Sequence, residues 1–149
     1  MSTTDLRLST RVRGVNPYAT PAPTGTIDLW LDANEGPAAA IDLGEIARTL
    51  PAGALARYPS ARALEARLAQ RWGVDPSRVL VTSGGDDAID RACRAVLEPG
   101  RELILPVPTF EMIRRFATLA GARTIDVPWS EGPYPTQRVL EQVTALTSM

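Results

Sequence analysis

The sequence of 149 residues contains no histidine and no lysine, so all 16 of its basic residues are arginine. The missing histidines exclude histidine-based acid–base catalysis and histidine metal ligands. The missing lysines exclude a Schiff base to any lysine side chain within these residues. The single cysteine, Cys93, excludes an internal disulfide and a cysteine zinc site. We therefore predict no metal centre.

Long apolar runs and an excess of charge are also missing. No run approaches the ~20 residues that a membrane-spanning helix needs, and the first residues lack the apolar core of a signal peptide. The 16 basic and 17 acidic residues give a net charge of −1, which argues against a nucleic-acid footprint and against a polybasic membrane anchor. We expect a cytoplasmic protein with no nucleic-acid or membrane partner.

The first part of the sequence reads as an arm followed by short elements. Proline and glycine interrupt every regular pattern over residues 1–26, which predicts an extended arm. Alternating apolar and polar residues predict a short strand over 26–32. A helix is predicted over 42–50, because Asp42 and Glu45 have capping-box spacing.

From residue 61 onward, helices and strands alternate at short spacing. In chain order they are a helix over 61–72 with Ser60 as N-cap and Gly73 after its end, a strand over 78–82, a helix over 86–97, a strand over 102–105, a helix over 110–120, a strand over 123–127 and a helix from 136 with Val139, Leu140, Val143 and Leu146 inward. This order predicts a three-layer α/β/α fold with a mainly parallel sheet and right-handed crossovers. The alternation requires a further strand at Thr147–Met149, so we expect residues 27–149 to form an incomplete large domain.

The strongest candidate for ligand binding is the turn between the strand at 78–82 and the following helix. Gly84 and Gly85 let a ligand approach the backbone, and the free amides and the helix dipole favour an anion, most naturally a phosphate. The alternative is an ordinary capped turn, in which Asp86 and Asp87 simply begin the helix. The segment is neither a P-loop, since lysine is absent, nor a GxGxxG motif.

Four further residues allow two interpretations each. Phe110 follows a strand at the ligand-binding edge of the predicted sheet, where it could stack on a planar ring or pack in the core. Tyr58 could bind a phosphate beside a helix N-cap or be a surface turn residue. Asn34 and Glu35 could bind a polar substrate or be ordinary polar loop residues. Cys93 lies on an apolar helix face and is predicted to be a core residue.

In combination and in order, these motifs resemble the N-terminal part of a fold-type-I, pyridoxal-phosphate-dependent aminotransferase. Among these enzymes the histidinol-phosphate aminotransferase group is the most similar. The segments that carry the resemblance are Pro17–Tyr18, Leu31–Pro37, Arg57–Pro59, Gly73–Asp90, Leu97–Gly100 and Pro106–Met112. The resemblance implies the large domain of the transferase fold, preceded by the N-terminal arm, and pyridoxal 5′-phosphate as cofactor.

The resemblance also implies roles for the candidate cofactor-binding residues. The family's Gly-Ser-Asp-Glu stretch, whose backbone amides hold the cofactor phosphate, matches Gly84, Gly85, Asp86 and Asp87, with Gly85 in place of Ser and Asp87 in place of Glu. Phe110 matches the aromatic residue, usually Tyr, that stacks on the pyridine ring. Tyr58 matches a tyrosine that reaches the cofactor phosphate of the neighbouring subunit, which implies a homodimer.

For the substrate, Tyr18, Asn34 and Glu35 match the region that folds over it. The implied reaction transfers an amino group between L-histidinol phosphate and 2-oxoglutarate, in histidine biosynthesis. Gly36 departs from the family's usual Asn, so other phosphate-bearing amino acids stay open. The alternatives are a threonine-phosphate decarboxylase-like enzyme of the same fold and a non-catalytic module that binds a phosphate-bearing ligand.

The resemblance finally shows which parts these residues do not contain. The family needs a Schiff-base lysine, the Asn-Pro-x-Asn-Pro-Thr-Gly segment, an Asp beside the pyridinium nitrogen and an Arg of the phosphate cup, all further along its chain. Because these 149 residues contain no lysine, we predict no catalytic residue among them. We expect this chain by itself to be an inactive N-terminal portion of an aminotransferase, marginally stable, with exposed apolar surface.

Overall fold

The structure is a computed structural model that describes residues 9–13, 15, 25–26 and 40–149. Its elements are α1 (Thr10–Arg13), α2 (Leu43–Thr49), α3 (Arg62–Trp72), α4 (Gly84–Val96), β1 (Glu102–Val107), α5 (Glu111–Ala120), β2 (Arg123–Pro128) and α6 (Thr136–Glu141). The predicted strand over 26–32 falls almost wholly outside the described residues. The described residues divide between two compact units, one holding 82–149 with 9–13 and 15, the other holding 40–81 with 25–26.

One short helix differs from the extended arm that the sequence predicts. The α1 turn begins after Ser9, whose carbonyl oxygen accepts hydrogen bonds from the amides of Val12 and Arg13 at 3.0 and 3.3 Å. The Ser9 hydroxyl oxygen also accepts from the Arg11 amide at 3.3 Å. Because no proline or glycine lies between Ser9 and Arg13, the chain can form this single turn.

In the smaller unit, α2 begins as predicted. The Asp42 carboxylate accepts hydrogen bonds from the amides of Gly44 at 2.8 Å and Glu45 at 3.1 Å. Two amides that have no acceptor inside the helix are thereby paired. The capping signal at Asp42 therefore located this helix correctly.

The ends of α3 also follow from the sequence, with a shift of one residue at its start. Ala61 rather than Ser60 is the N-cap residue, although the Ser60 hydroxyl oxygen still accepts from the Arg62 amide at 3.4 Å. At the other end Gly73 has φ +64°, and its amide donates to the Gln70 carbonyl oxygen at 3.3 Å. Glycine suits this left-handed position because it has no Cβ to clash.

The predicted strand over 78–82 is wrong for the described residues. A 3₁₀ turn occupies Pro76–Arg78, and the following Val79 is extended (φ −118°, ψ 124°) without pairing to another strand. The Val81 amide donates instead to a carboxylate oxygen of Glu65, on α3, at 3.0 Å. The β-branched composition thus produced extended backbone, but a strand also needs a neighbouring backbone to pair with.

In the larger unit, β1 and β2 form a parallel pair with Glu102 opposite Arg123. Residues 144–149 lie along the other side of β1, where Thr147 forms a parallel bridge to Glu102. This bridge forms at the position where the alternation of strands and helices along the sequence predicted a further strand. The first residues of β1 are therefore flanked on both sides by backbone partners.

The core lies between β1 and two helices. Its buried residues are Cys93 and Leu97 from the α4 region, Leu103 and Leu105 from β1, and Ala117 from α5. Helices α4 and α5 therefore cover the same face of β1, the face that odd-numbered residues of the strand share. The predicted α/β class with a parallel sheet is confirmed.

Cys93 is a core residue, as predicted, with none of its surface exposed. Burial, with a smaller contribution from Asp90, raises the pKa of the Cys93 thiol above its ordinary value. We expect the folded chain not to react with 5,5′-dithiobis(2-nitrobenzoic acid) at neutral pH, because reaction needs an accessible thiolate. The same chain in guanidinium chloride should react fully within minutes, which serves as the control. Rapid stoichiometric labelling under native conditions would contradict this arrangement of the core.

The last helix is shorter than the sequence predicts. Helix α6 ends at Glu141, and three of the apolar residues predicted to face inward, Leu140, Val143 and Leu146, are 59, 55 and 51% exposed. The chain after α6 turns toward β1, where the Leu146 carbonyl oxygen accepts from the Glu102 amide at 2.9 Å. The residues after α6 therefore pair with β1 and do not continue the helix.

Candidate functional site

The start of α4 is an open, glycine-containing turn. Gly84 has φ +84°, a left-handed conformation that costs any other residue about 1–2 kcal/mol. A Cβ atom built on either Gly84 or Gly85 would meet no other atom within 4 Å. Both glycines are exposed, so a ligand can approach their backbone directly.

The amide groups of this turn point to an anion. In the part of the chain that the structure describes, no acceptor pairs with the amides of Gly84, Gly85 and Asp86. The Ser83 side chain, at the N-cap, does not accept from any of them. These amides lie at the positive end of the dipole of a 13-residue helix. The turn therefore has the donors and the local potential to bind a phosphate-sized anion.

The acidic residues of the turn are partly neutralised. The Asp87 carboxylate accepts from the Ser83 amide at 2.9 Å and from the Arg91 guanidinium at 2.8 Å. Its bond to Arg91, followed by its bond to Ser83, holds the pKa of Asp87 below its ordinary value, so the carboxylate stays ionised and paired. Asp86 is exposed, and its charge is the one that opposes an anion at this turn.

Two residues that sequence reasoning missed shape the turn. The Thr82 hydroxyl donates to the Gly84 carbonyl oxygen at 3.0 Å and so supports the left-handed residue. Arg91 neutralises Asp87 from four residues further along the same helix. The Asp87–Arg91 spacing was visible in the sequence as a helical ion pair, whereas the Thr82 contact depends on a turn conformation that the sequence does not show.

Phe110 lies at the same edge of the sheet as this turn. Helix α4 and strand β1 are each about 20 Å long, and the short connection of 97–101 makes them antiparallel. The start of α4 is therefore level with the end of β1, where Phe110 forms the N-cap of α5 with 51% of its surface exposed. The alternative that Phe110 packs in the core with Phe116 is wrong, because Phe110 is exposed and only Phe116 packs against the core residues.

The other predicted site residues belong to the smaller unit or fall outside the described residues. Tyr58 lies in the smaller unit and is fully exposed. Tyr18, Asn34 and Glu35 lie outside the described residues. Among the residues that are described, no group of three or more His, Cys, Asp or Glu side chains could hold a metal ion. Every helix in the same ranges is too short or too polar to cross a bilayer.

Sequence relatives are histidinol-phosphate aminotransferases. The enzyme of Geobacillus thermodenitrificans is 28% identical over 151 residues, which cover 93% of this chain and 40% of that protein. The enzyme of Escherichia coli O157:H7 is 36% identical over 124 residues, which cover 80% of this chain and 33% of that protein. The chain thus spans two-fifths or less of the length of these relatives.

A solved structure supports the same relationship. It is LysN, an alpha-aminoadipate aminotransferase from Thermus thermophilus, complexed with N-(5′-phosphopyridoxyl)-L-leucine. The match has a TM-score of 0.54 and 30% identity, and it covers 66% of this chain and 27% of that chain. Pyridoxal phosphate, the predicted cofactor, is confirmed as the cofactor of this group of proteins.

The family assignment rests on the sequence as a whole rather than on one motif. The sequence model of the family described as aminotransferase class I and II matches residues 14–141. That range includes the open turn at Gly84 and the exposed ring of Phe110, together with residues 16–24 and 27–39, which the structure does not describe. The chain belongs to the class I and II aminotransferases.

Proposed function

We propose that this chain forms part of the active site of an aminotransferase that moves an amino group between L-histidinol phosphate and 2-oxoglutarate, in histidine biosynthesis. The observation that carries the proposal is the open turn at Gly84 and Gly85 with its unpaired amides. The names of the relatives support the choice of substrate. The activity is that of a longer protein, since the chain spans at most 40% of the relatives named above.

The turn fits the phosphate of pyridoxal 5′-phosphate. Its three amide donors have no acceptor among the described residues, and no side chain covers the glycines. The pairing of Asp87 with Arg91 partly neutralises one of the two nearby negative charges. In this proposal the amides of Gly84, Gly85 and Asp86 hold the phosphate, with binding energy from charge-assisted hydrogen bonds.

The remaining proposed contacts concern the ring, the substrate and the neighbouring subunit. Phe110 would present its exposed ring to the cofactor's pyridine ring. Tyr58 would reach the cofactor phosphate of a second subunit, and Tyr18, Asn34 and Glu35 would cover the substrate. Because each site would then need residues of both subunits, the complete enzyme would be a homodimer. We also propose that it is cytoplasmic.

The cofactor, when bound, supplies an electron sink for the reaction. The proposed site residues of this chain bind and orient the cofactor and the substrate, and none of them moves a proton. The Schiff-base lysine is not among these 149 residues. We therefore propose that the chain by itself binds the cofactor without converting substrate.

Gly36 leaves a second candidate substrate open. It stands where histidinol-phosphate aminotransferases usually have Asn, so a threonine-phosphate decarboxylase-like activity on the same fold is the alternative. Assays of the complete protein with histidinol phosphate and with threonine phosphate separate the two: amino transfer to 2-oxoglutarate supports the first, and release of carbon dioxide supports the second. A complete protein with neither activity would favour a non-catalytic module for phosphate-bearing ligands.

The phosphate site can be tested on this chain with pyridoxine 5′-phosphate, which has no aldehyde and cannot react with an amine. We expect Gly85→Asp to weaken binding about tenfold or more, because a carboxylate next to the unpaired amides repels the phosphate. The fold should be retained, since a Cβ at Gly85 meets open space and an acidic residue suits a first helical turn. Isothermal titration calorimetry measures the affinity and thermal unfolding measures the stability.

Ala92→Asp is the matched control, because it adds the same charge to an exposed position two turns further along α4. It should change the affinity by less than about twofold, since solvent and salt screen a charge at that separation. Pyridoxine without phosphate should bind weakly to every variant. Equal affinities of Gly85→Asp and the unmodified chain would contradict the proposed phosphate site.

A further inference from the structure

A buried carboxylate on β1 connects residues 144–149 to the sheet. Glu102 is 2% exposed, and its carboxylate accepts hydrogen bonds from the Arg123 guanidinium and from the Thr144 hydroxyl, the latter at 2.7 Å. We propose that Glu102 is a pH-sensitive latch that holds residues 144–149 in register beside β1 and releases them when its carboxylate gains a proton.

The hydrogen bonds around Glu102 form a closed ring. The Thr144 hydroxyl donates to the Glu102 carboxylate, and its oxygen accepts from the Leu146 amide at 3.1 Å. The Leu146 carbonyl oxygen accepts from the Glu102 amide at 2.9 Å. The side chain and the backbone of Glu102 therefore bind the same short segment from two directions, which fixes which residue of the segment lies opposite Glu102.

Two further hydrogen bonds between the segment and β1 also depend on this register. The Ser148 amide donates to the Glu102 carbonyl oxygen at 3.0 Å, and the Ile104 amide donates to a Met149 oxygen at 2.9 Å. The Leu146 side chain is 51% exposed, so it adds little apolar burial to these hydrogen bonds. A one-residue slip would break all of these bonds together.

Few charges face the latch. Arg123 contacts it from β2, with a side chain that is 70% exposed, and residues 144–149 contribute no ionisable side chain. On the flanking loop Arg101 pairs with Glu98 at 3.4 Å. In the 149-residue chain the carboxyl group of Met149 is a further acidic group beside β1. Loss of the Glu102 charge would therefore leave Arg123 without its partner and a buried carboxylic acid that needs a new acceptor.

The direction of the pH effect follows from the contacts. The bonds from Arg123 and Thr144, in that order, lower the pKa of Glu102 below its ordinary value. A lowered pKa in the folded state means that the contribution to stability is complete above the ordinary pKa of a glutamate. It is lost as the pH falls through the folded-state value. The latch is accordingly closed at neutral pH and opens in acid.

Amide hydrogen exchange by NMR tests the latch on the full chain. Between pH 6 and pH 3, after correction for intrinsic rates, we expect protection of the Ser148 and Ile104 amides to fall about tenfold or more. The Leu97 and Ala122 amides, bonded to the ends of α4 and α5 at 2.8 and 3.0 Å, should keep their protection. Glu102→Gln should show the low protection of Ser148 and Ile104 already at pH 6.

Two further variants keep the test decisive. Thr144→Val removes the hydroxyl without changing charge, so it should lower the protection of Ser148 at pH 6 even if Glu102→Gln does not fold. Glu98→Gln is the matched control, because it removes an exposed carboxylate and should leave Ser148 unchanged. Unchanged protection in acid, or an equal loss at Ser148, Leu97 and Ala122, would overturn the proposal, because Glu102 would then have no selective hold on the segment.

Discussion

We expect the chain to form no lysine-linked adduct when it is mixed with pyridoxal phosphate and treated with borohydride. The reason is compositional, since none of its 149 residues is lysine. The amino group at the chain's N-terminus is then the one primary amine available for reduction to a stable secondary amine. Intact-mass measurement and peptide mapping should place any trapped adduct there, and transaminase activity should be at the background level.

Blocking the N-terminal amine by acetylation provides the control, because it should abolish the residual adduct. The histidinol-phosphate aminotransferase of Escherichia coli, treated in the same way, serves as the positive control for trapping and for activity. A stoichiometric adduct on the acetylated chain would contradict the prediction. So would turnover of histidinol phosphate above background by the 149-residue chain.

The second large effect concerns the two phenylalanines. Phe116 packs against the core formed by β1 and the helices, whereas Phe110 is 51% exposed. We expect Phe116→Ala to lower the free energy of unfolding by about 2–4 kcal/mol, because it leaves a cavity beside buried side chains. Phe110→Ala should lower it by about 1 kcal/mol or less. Urea unfolding followed by circular dichroism measures both values.

Ligand affinity should depend more on Phe110 than on Phe116, which is the reverse of their order for the free energy of unfolding. Phe110→Ala should weaken binding of pyridoxine 5′-phosphate several-fold if the exposed ring stacks on the cofactor, an interaction of about 0.5–1.5 kcal/mol. Phe110→Tyr should restore it, since the ring face is retained. Equal affinity of Phe110→Ala and the unmodified chain would remove Phe110 from the proposed site and leave the phosphate contacts to be judged by Gly85→Asp.

The local signals in the sequence located several elements correctly. Asp42 predicted the start of α2, Gly73 the end of α3, and the alternation of short strands with helices predicted β1 and β2. These features depend on neighbours in the sequence, such as a side chain that caps the amides two or three residues further on.

Features that depend on distant partners were predicted less well. Among the described residues no strand pairs with the extended residues after Arg78, and the Val81 amide donates instead to Glu65 from another element. The apolar stripe at Leu140 and Val143 suggested a longer helix, but the chain leaves the helix to reach β1. Periodicity records which face of an element is apolar and not whether a surface exists to cover it.

The sequence alone determined the family resemblance, the absence of a lysine and the two glycines of the open turn, because these depend only on which residues occur and in what order. Only the tertiary structure decided which aromatic ring is exposed, which amides stay unpaired and which carboxylate is buried. The choice between Phe110 and Phe116 shows the reason: the two side chains are identical, and only the packing of α5 against the core partly buries Phe116 and leaves Phe110, at the N-cap, exposed.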